Sequence, residues 1–263
     1  MGTLVLAALF APLVAPYSPF QQNLDGRLVP PRFLGGSPAH LLGTDLMGRD
    51  YLSRLIYGAR ASLAIAGGTV LFSSIFGITL GMLGGFFGGK TDLVVMYLIS
   101  VRLSLPSILV ALSVVGLIGS SLPIIMAVLA GLLWDQYAIV SRSLVIQMRD
   151  REFVQAARSA GCSNLSILIA DILPCLVTPL IAVTTLEMAH AVMLEAALSF
   201  LGLGIKPPMA SWGLMIAEAR DFVFFDPWLV NVPGFALLIL ILGINLLGDG
   251  LSGVLGRSSS GRS

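Results

Sequence analysis

The sequence predicts an all-α, polytopic membrane protein with six transmembrane helices, and three of its features carry that expectation. The first is composition: of 263 residues, 56% are hydrophobic and only 11% charged, with a net charge of +1. A soluble domain carries about 25% charged residues, so this chain lacks the polar surface to cover a water-soluble globule. That balance excludes a cytosolic enzyme, a disordered tail and a basic nucleic-acid-binding protein. The second is the length of the uncharged runs: 29 residues separate Arg60 from Lys90, 32 separate Arg102 from Asp135, and 22 separate Asp226 from Asp249. About 20 apolar residues at ~1.5 Å each cross a ~30 Å hydrocarbon core, and in lipid such a run satisfies its backbone as a helix. The third is the clustering of Gly, Ser and Pro between the runs, where helices stop.

Taken in order, residues 3–15 are apolar but short, with Pro12 and Pro16 near their end and no basic stretch before them as a signal peptide would have. They read as an anchor helix whose beginning is missing or abbreviated. Residues 62–87 form the second span. Gly116, Gly119, Ser120, Ser121 and Pro123 divide the 32-residue run into the end of a third span and the start of a fourth. Residues 173–203 make a fifth, interrupted by Glu187, His190 and Glu195 and expected to be tilted or broken, with Pro174 and Pro179 near its start. Residues 228–247 make the sixth. Positive charges should orient the chain, but seven fall on each side: Arg27, Arg32, Arg49, Arg54, Arg60, Lys206 and Arg220 against Lys90, Arg142, Arg149, Arg151, Arg158, Arg257 and Arg262. Charge alone leaves the orientation open.

Residues 84–91, GGFFGGKT, match the phosphate-binding pattern G-x-x-x-x-G-K-T letter for letter. That loop needs a strand before it and a solvated helix N-terminus after it, whereas here it joins two membrane spans. Gly77, Gly81, Gly85 and Gly89 recur every four residues, which suits a smooth stripe for close helix packing. Residues 150–161 read as a short amphipathic helix, with Asp150 at its start, Gly161 as a stop, and Phe153, Ala156, Ala157 and Ala160 along one side. Such a helix rests on the bilayer or inserts into a groove on another protein.

Ionisable groups inside spans usually face a polar interior or pathway. Glu187, His190 and Glu195 lie on neighbouring faces of the fifth span and are read as lining a passage or packing between helices, not as a metal site. Arg102 and Asp135 lie roughly 15 and 10 Å deep on adjacent antiparallel helices at ~1.5 Å per residue, and are expected to pair, because an unpaired charge there is costly. No G-x-S-x-G or H-E-x-x-H motif occurs. Cys162 and Cys175 make no disulfide framework or metal site on their own and read as small apolar residues.

Four segments are more specific. The first is HLLGTDLMGRD at residues 40–50, followed by Ser53, Arg54, Tyr57, Gly58, Ala59 and Arg60. The second is Gln155, Ala156 and Ala157 with Gly161, Leu173 and Pro174. The third is LSFLGLG at residues 198–204, then Pro207, Pro208, Ser211, Trp212 and Gly213. The fourth is NLLGDGL at residues 245–251. Together they resemble the C-type permease subunit of dipeptide and oligopeptide ABC importers, over about residues 7–255.

The resemblance implies a type I ABC importer permease fold with six helices and both termini in the cytoplasm of a bacterial cell. It implies a sister (B-type) permease, two ATP-binding subunits and an extracytoplasmic substrate-binding protein as partners, with ATP and Mg held by the ATP-binding subunits and no cofactor on this chain. Peptides are the implied cargo, with haem, nickel complexes or opines as alternatives within the class. The family's coupling segment falls on Gln155, Ala156, Ala157, Gly161, Asp171 and Pro174, within a cytoplasmic loop at about 142–172. The motif with Gly43, Thr44, Asp45, Gly48, Arg49 and Asp50 then faces outward. The implied organisation is an anchor and extracytoplasmic loop at 1–58, a permease core at 59–252 and a cytoplasmic tail at 253–263. Gln155 stands where the family has an acid, Asp171 where it has a basic residue, Tyr97 and Ser100 where it commonly has Arg and Asp, and Asp135-Gln136 where Pro-Gly is usual. Two other classes fit less well. A secondary transporter would show repeats and coupling-ion sites, and an intramembrane enzyme a nucleophile or metal set.

Overall fold

The computed structural model describes residues 2–260, so the end of the expected tail, with Arg262, lies outside the described residues. The chain is helical: α1 (Gly2–Leu9), α2 (Ala11–Val14), α3 (Tyr51–Phe87), α4 (Gly89–Ser104), α5 (Ser107–Ile118), α6 (Leu122–Leu132), α7 (Asp135–Met148), α8 (Glu152–Ser159), α9 (Asn164–Ser166), α10 (Leu173–Phe200), α11 (Trp212–Ala219) and α12 (Trp228–Ser260). The only β pairing among the described residues is one isolated bridge between Thr44 and Asp50.

Four stretches are long and apolar enough to cross a membrane: Tyr51–Phe87, Leu122–Met148, Asn164–Phe200 and Trp228–Gly253. A fifth results if α4 and α5, bent by 85° at their junction, count as one span. The expected N-terminal anchor is helical and divided into α1 and α2. The described part of α1 and α2 extends only ~20 Å at ~1.5 Å per residue, because the helix is interrupted at Phe10 and Pro12 opens a new turn. Proline also explains the bend between α4 and α5: Pro106 has no N–H to continue a helix, and Leu105 before it is extended at φ −102°, ψ 124°. At Pro174 the response differs. The six residues Ile167–Ile172 widen into a π-helical turn, with Leu173 N–H donating to Leu168 O, and the helix then runs through Pro179 without stopping. A widened turn gives the proline ring room against the carbonyl it would otherwise strike.

The chain packs as two compact units. One comprises the residues up to Gly67 with Leu112–Met126 and His190–Gly243; the other comprises Gly68–Ala111, Ala127–Ala189 and the residues from Ile244 onward. In the second unit the core is Val70, Met82, Phe86, Tyr137, Val145, Ile167, Leu168, Ile172, Leu176 and Leu180, with Val154 of α8 buried among them. Its helices approach through glycine. A Cβ at Gly77 would stand 2.2 Å from Trp134 O, one at Gly81 2.1 Å from Ser141 Oγ and 2.4 Å from Ala138 O, and one at Gly85 2.8 Å from Arg142 O. The stripe read from the sequence is therefore the α3–α7 contact. Gly89 departs from it: a Cβ there meets nothing within 4 Å, and its φ of +50° belongs to the turn that starts α4. Gly248 repeats the device in α12, where a Cβ would stand 2.1 Å from Thr185 Oγ1 of α10.

Lipid is as apolar as the side chains it touches, so such close backbone packing supplies association that hydrophobicity does not. Gly81→Leu should therefore destabilise the protein by about 1–3 kcal/mol or more. Gly67→Ala, where a Cβ meets nothing within 4 Å, should cost nothing. Thermal unfolding of the detergent-purified variants separates the two outcomes.

Candidate functional site

The short helix α8 is anchored on one side and bare on the other. Val154 is fully buried and Ala157 packs beside it in the core of the second unit, while the Arg158 guanidinium lies 5.2 Å from the Phe86 ring centroid. Phe153, Gln155, Ala156 and Ala160 are exposed. Of the apolar side read from periodicity, Phe153, Ala156 and Ala160 lie on the outer face, while Ala157 joins Val154 on the inner one. The helix ends as expected at Gly161, which takes φ +81° while its N–H donates to Arg158 O at 3.0 Å and Cys162 N–H to Ala157 O at 3.1 Å. This pair of bonds closes the C-terminus and needs a left-handed residue at Gly161. Asp171 lies half-buried in the π-helical turn and Pro174 is exposed at the start of α10.

In the first unit, the segment 43–54 folds around a buried cluster of charges. Asp45 Oδ1 accepts from the Met47 and Arg49 amides at 2.8 and 2.9 Å. Its Oδ2 accepts from Arg49 Nε at 2.6 Å and Arg54 Nη1 at 2.5 Å. Glu218 of α11 closes the group, 2.7 Å from Arg54 Nη1 and 3.4 Å from Arg49 Nη2. Both arginines are at most 3% exposed. Two cations against two carboxylates leave the cluster neutral, the condition under which such burial is tolerated. Asp50 does a different job: it accepts from Ser53 N–H and Oγ at 2.8 and 2.7 Å, capping α3, and meets His40 Nδ1 at 2.8 Å. Thr44 Oγ1 bridges Gly26 O and Val29 N–H. Gly43 and Gly48 take positive φ, and a Cβ would fall 2.2 Å from Val29 O and 1.7 Å from Asn23 O. The whole motif is an internal brace for this loop. Sequence reasoning missed Glu218; the available signal was that Asp50, spent on capping, left Arg49 and Arg54 one acid short.

Glu195 is buried in α10, where its Oε1 accepts from Ser199 Oγ and Ser211 Oγ, each at 2.8 Å. Ser211 also caps α11 by accepting from Leu214 N–H, and Trp212 Nε1 donates to Leu55 O at 2.8 Å. A Cβ at Gly204 or Gly213 would strike Ser199 at 1.8 or 2.9 Å. The third sequence motif is accordingly a packing hub, joined to Glu195 through Ser199 and Ser211. Glu187 is likewise buried, while His190 is exposed on the same helix.

Arg102 and Asp135 do not pair. Arg102 Nε donates to Leu132 O at 2.6 Å and its Nη2 to Ser107 Oγ at 2.9 Å. Asp135, 4% exposed, lies in the first turn of α7. The physical reason is the break at residues 133–134. It ends α6 with unsatisfied carbonyls, which attract a cation, and opens α7 with unsatisfied amides, which favour an anion. Each charge is matched by a helix end. The residue that does pair with α7 is Asp92, held bidentate by Arg142 through Nε–Oδ1 and an Nη2–Oδ2 contact of 2.7 Å. The glycine-rich 84–91 segment has no strand before it, and Lys90 is exposed in the first turn of α4.

Residues 77–260 match the model of the family described as binding-protein-dependent transport system inner membrane component. The chain belongs to that family. Residues 1–31 match the N-terminal TM domain of oligopeptide transport permease C. The chain is 43% identical over 252 residues to a di/tripeptide transport system permease protein of Pseudomonas aeruginosa, covering 95% of this chain and 83% of that one. It is 39% identical to a dipeptide transport system permease protein of Haemophilus influenzae, with coverage of 94% and 84%. Among solved structures, an inward-facing methionine ABC transporter superposes with a TM-score of 0.64 at 16% identity, over 76% of this chain and 95% of that one, which shows the shared fold.

As a member of this family, the chain is a multi-pass, non-catalytic membrane subunit of an ABC importer. Three outcomes follow from its charges. Asp45→Asn leaves two buried arginines with too few acceptors and should cost about 3–5 kcal/mol, read as lost membrane accumulation and a lowered unfolding temperature. Glu218→Gln should cost less, since Glu218 is 21% exposed. Arg102→Ala and Asp135→Ala should add within about 0.5 kcal/mol in a double-mutant cycle, as independent sites do.

Proposed function

We propose that this chain is the C-type permease subunit of an ATP-driven importer of di- and oligopeptides in a bacterial cytoplasmic membrane. Its relatives named for dipeptide transport, each about two-fifths identical over most of both chains, support peptides as cargo. The observation that carries the mechanism is α8: a helix held to the core by Val154 and Ala157 while Phe153, Gln155, Ala156 and Ala160 stay bare. An apolar helix face of this kind fits a groove on a partner, and the partner is an ATP-binding subunit that holds ATP and Mg. Gly161 sets where the helix stops; Asp171 lies in, and Pro174 just after, the π-helical turn through which its displacement reaches α10. A sister permease completes the pathway, and an extracytoplasmic binding protein delivers the peptide to the side of the braced 43–54 loop. Of the intramembrane polar residues, Arg102, Asp135, Glu187 and Glu195 hold helices in place, and exposed His190 is left to line the cavity.

Closure of the ATP-bound motor moves α8, the permease pair turns outward, peptide enters, and hydrolysis returns the cavity inward. Gly161→Arg tests this reading. A side chain there is strained by about 1–2 kcal/mol and projects from the docking edge. The complex should still assemble, while peptide-stimulated ATP turnover and tripeptide uptake fall at least tenfold. A chain that purifies without an ATPase and transports in proteoliposomes lacking ATP would sink the proposal.

A further inference from the structure

Within the first unit, one cleft of about 250 Å³ is lined by Phe20, Tyr57, Arg60, Ala61, Ala64 and Leu122, with Met209 and Ala210 at its other wall. The volume falls just below the ~300–1,000 Å³ of sites that enclose a whole small molecule, so it takes part of a ligand. Its walls are apolar, and Phe20 meets Tyr57 edge-on at 6.3 Å. Two donors stand one turn apart on α3: the Tyr57 hydroxyl and the Arg60 guanidinium. Neither bonds to another group among the described residues, and Arg60 is exposed.

The depth of Arg60 along α3 bears on what the cleft holds. The uncharged run between Arg60 and Lys90 is 29 residues long, roughly 43 Å at ~1.5 Å per residue, close to the ~40–45 Å of a bilayer with its headgroup regions. Arg60 therefore sits at headgroup level, Ala61 and Ala64 just below it, and Phe20 and Tyr57 where aromatic side chains gather at the interface. We propose that the cleft binds an anionic phospholipid, its phosphate on the Tyr57 hydroxyl and Arg60 guanidinium and the start of one acyl chain along Ala61 and Ala64. The apolar floor is continuous with the lipid-crossing surface of α3, and the cation complements a phosphate diester. A guanidinium fits such an anion with paired N–H donors.

The test uses the protein purified from membranes with whatever subunits accompany it, placed in nanodiscs of phosphatidylcholine containing a minority of phosphatidylglycerol. Native mass spectrometry after detergent exchange counts the lipid retained. The wild-type protein should keep phosphatidylglycerol over phosphatidylcholine. The Tyr57→Phe/Arg60→Gln double variant should lose about tenfold of that preference, the size expected for charge-assisted bonds. Arg60→Lys should keep part of it, and Arg27→Ala, outside the cleft, all of it. Retention unchanged in the double variant overturns the proposal. So does an Arg60→Cys cross-link to a sister subunit in the assembled complex, which would make the cleft a subunit contact. A raised KM for peptide with lipid retention intact would assign the donors to a peptide carboxylate and overturn it equally.

Discussion

In lipid every backbone polar group needs a partner within the protein, and several places where this chain departs from a straight helix carry a device that answers the break. Where Pro106 bends the α4–α5 pair, Arg102 donates to Ser107 and to the free carbonyl of Leu132. Where Pro174 removes an N–H, the preceding turn widens to π geometry. At the junction of α6 and α7, opposite helix ends receive Arg102 and Asp135. These charges look like a candidate ion pair when counted along the chain, yet the backbone solves each of them separately.

Packing follows from the same solvent. Gly77, Gly81, Gly85 and Gly248 bring helix backbones within reach of one another because apolar side chains gain little by leaving lipid. That use of glycine also explains the nucleotide-loop pattern at 84–91: two of its glycines are packing positions and two begin the next helix. Energy enters such a subunit through contact with a partner, which fits a surface helix whose inner face is committed and whose outer face is not.

The polar loop before α3 is built on a neutral, buried group of four charges, with Asp45 at its centre. Removing lipid as solvent does not remove the cost of isolated charge, so Arg49 and Arg54 need both Asp45 and Glu218. The motif around residues 43–50 stood out in the sequence through its resemblance to the family. Its purpose was not legible there, because Glu218 lies 169 residues from Arg49 in the chain. The hub of Glu195, Ser199 and Ser211 was hidden for a similar reason: an acid in a span reads as a pathway residue until its two serine donors are brought to it.

Composition and run length by themselves determined that this is a helical membrane protein, and local spacing determined where α8 stops and where α3 is smooth. Those features depend on period, backbone conformation and transfer to lipid, all of which act over a few neighbouring residues. Tertiary structure alone decided that the helix of residues 2–14 is interrupted at Phe10, that α8 turns Val154 inward, and that Arg102 prefers a helix end to Asp135. In each case the outcome hangs on a partner supplied by another helix or on a proline's local geometry, and linear distance carries no record of which acceptor comes nearest.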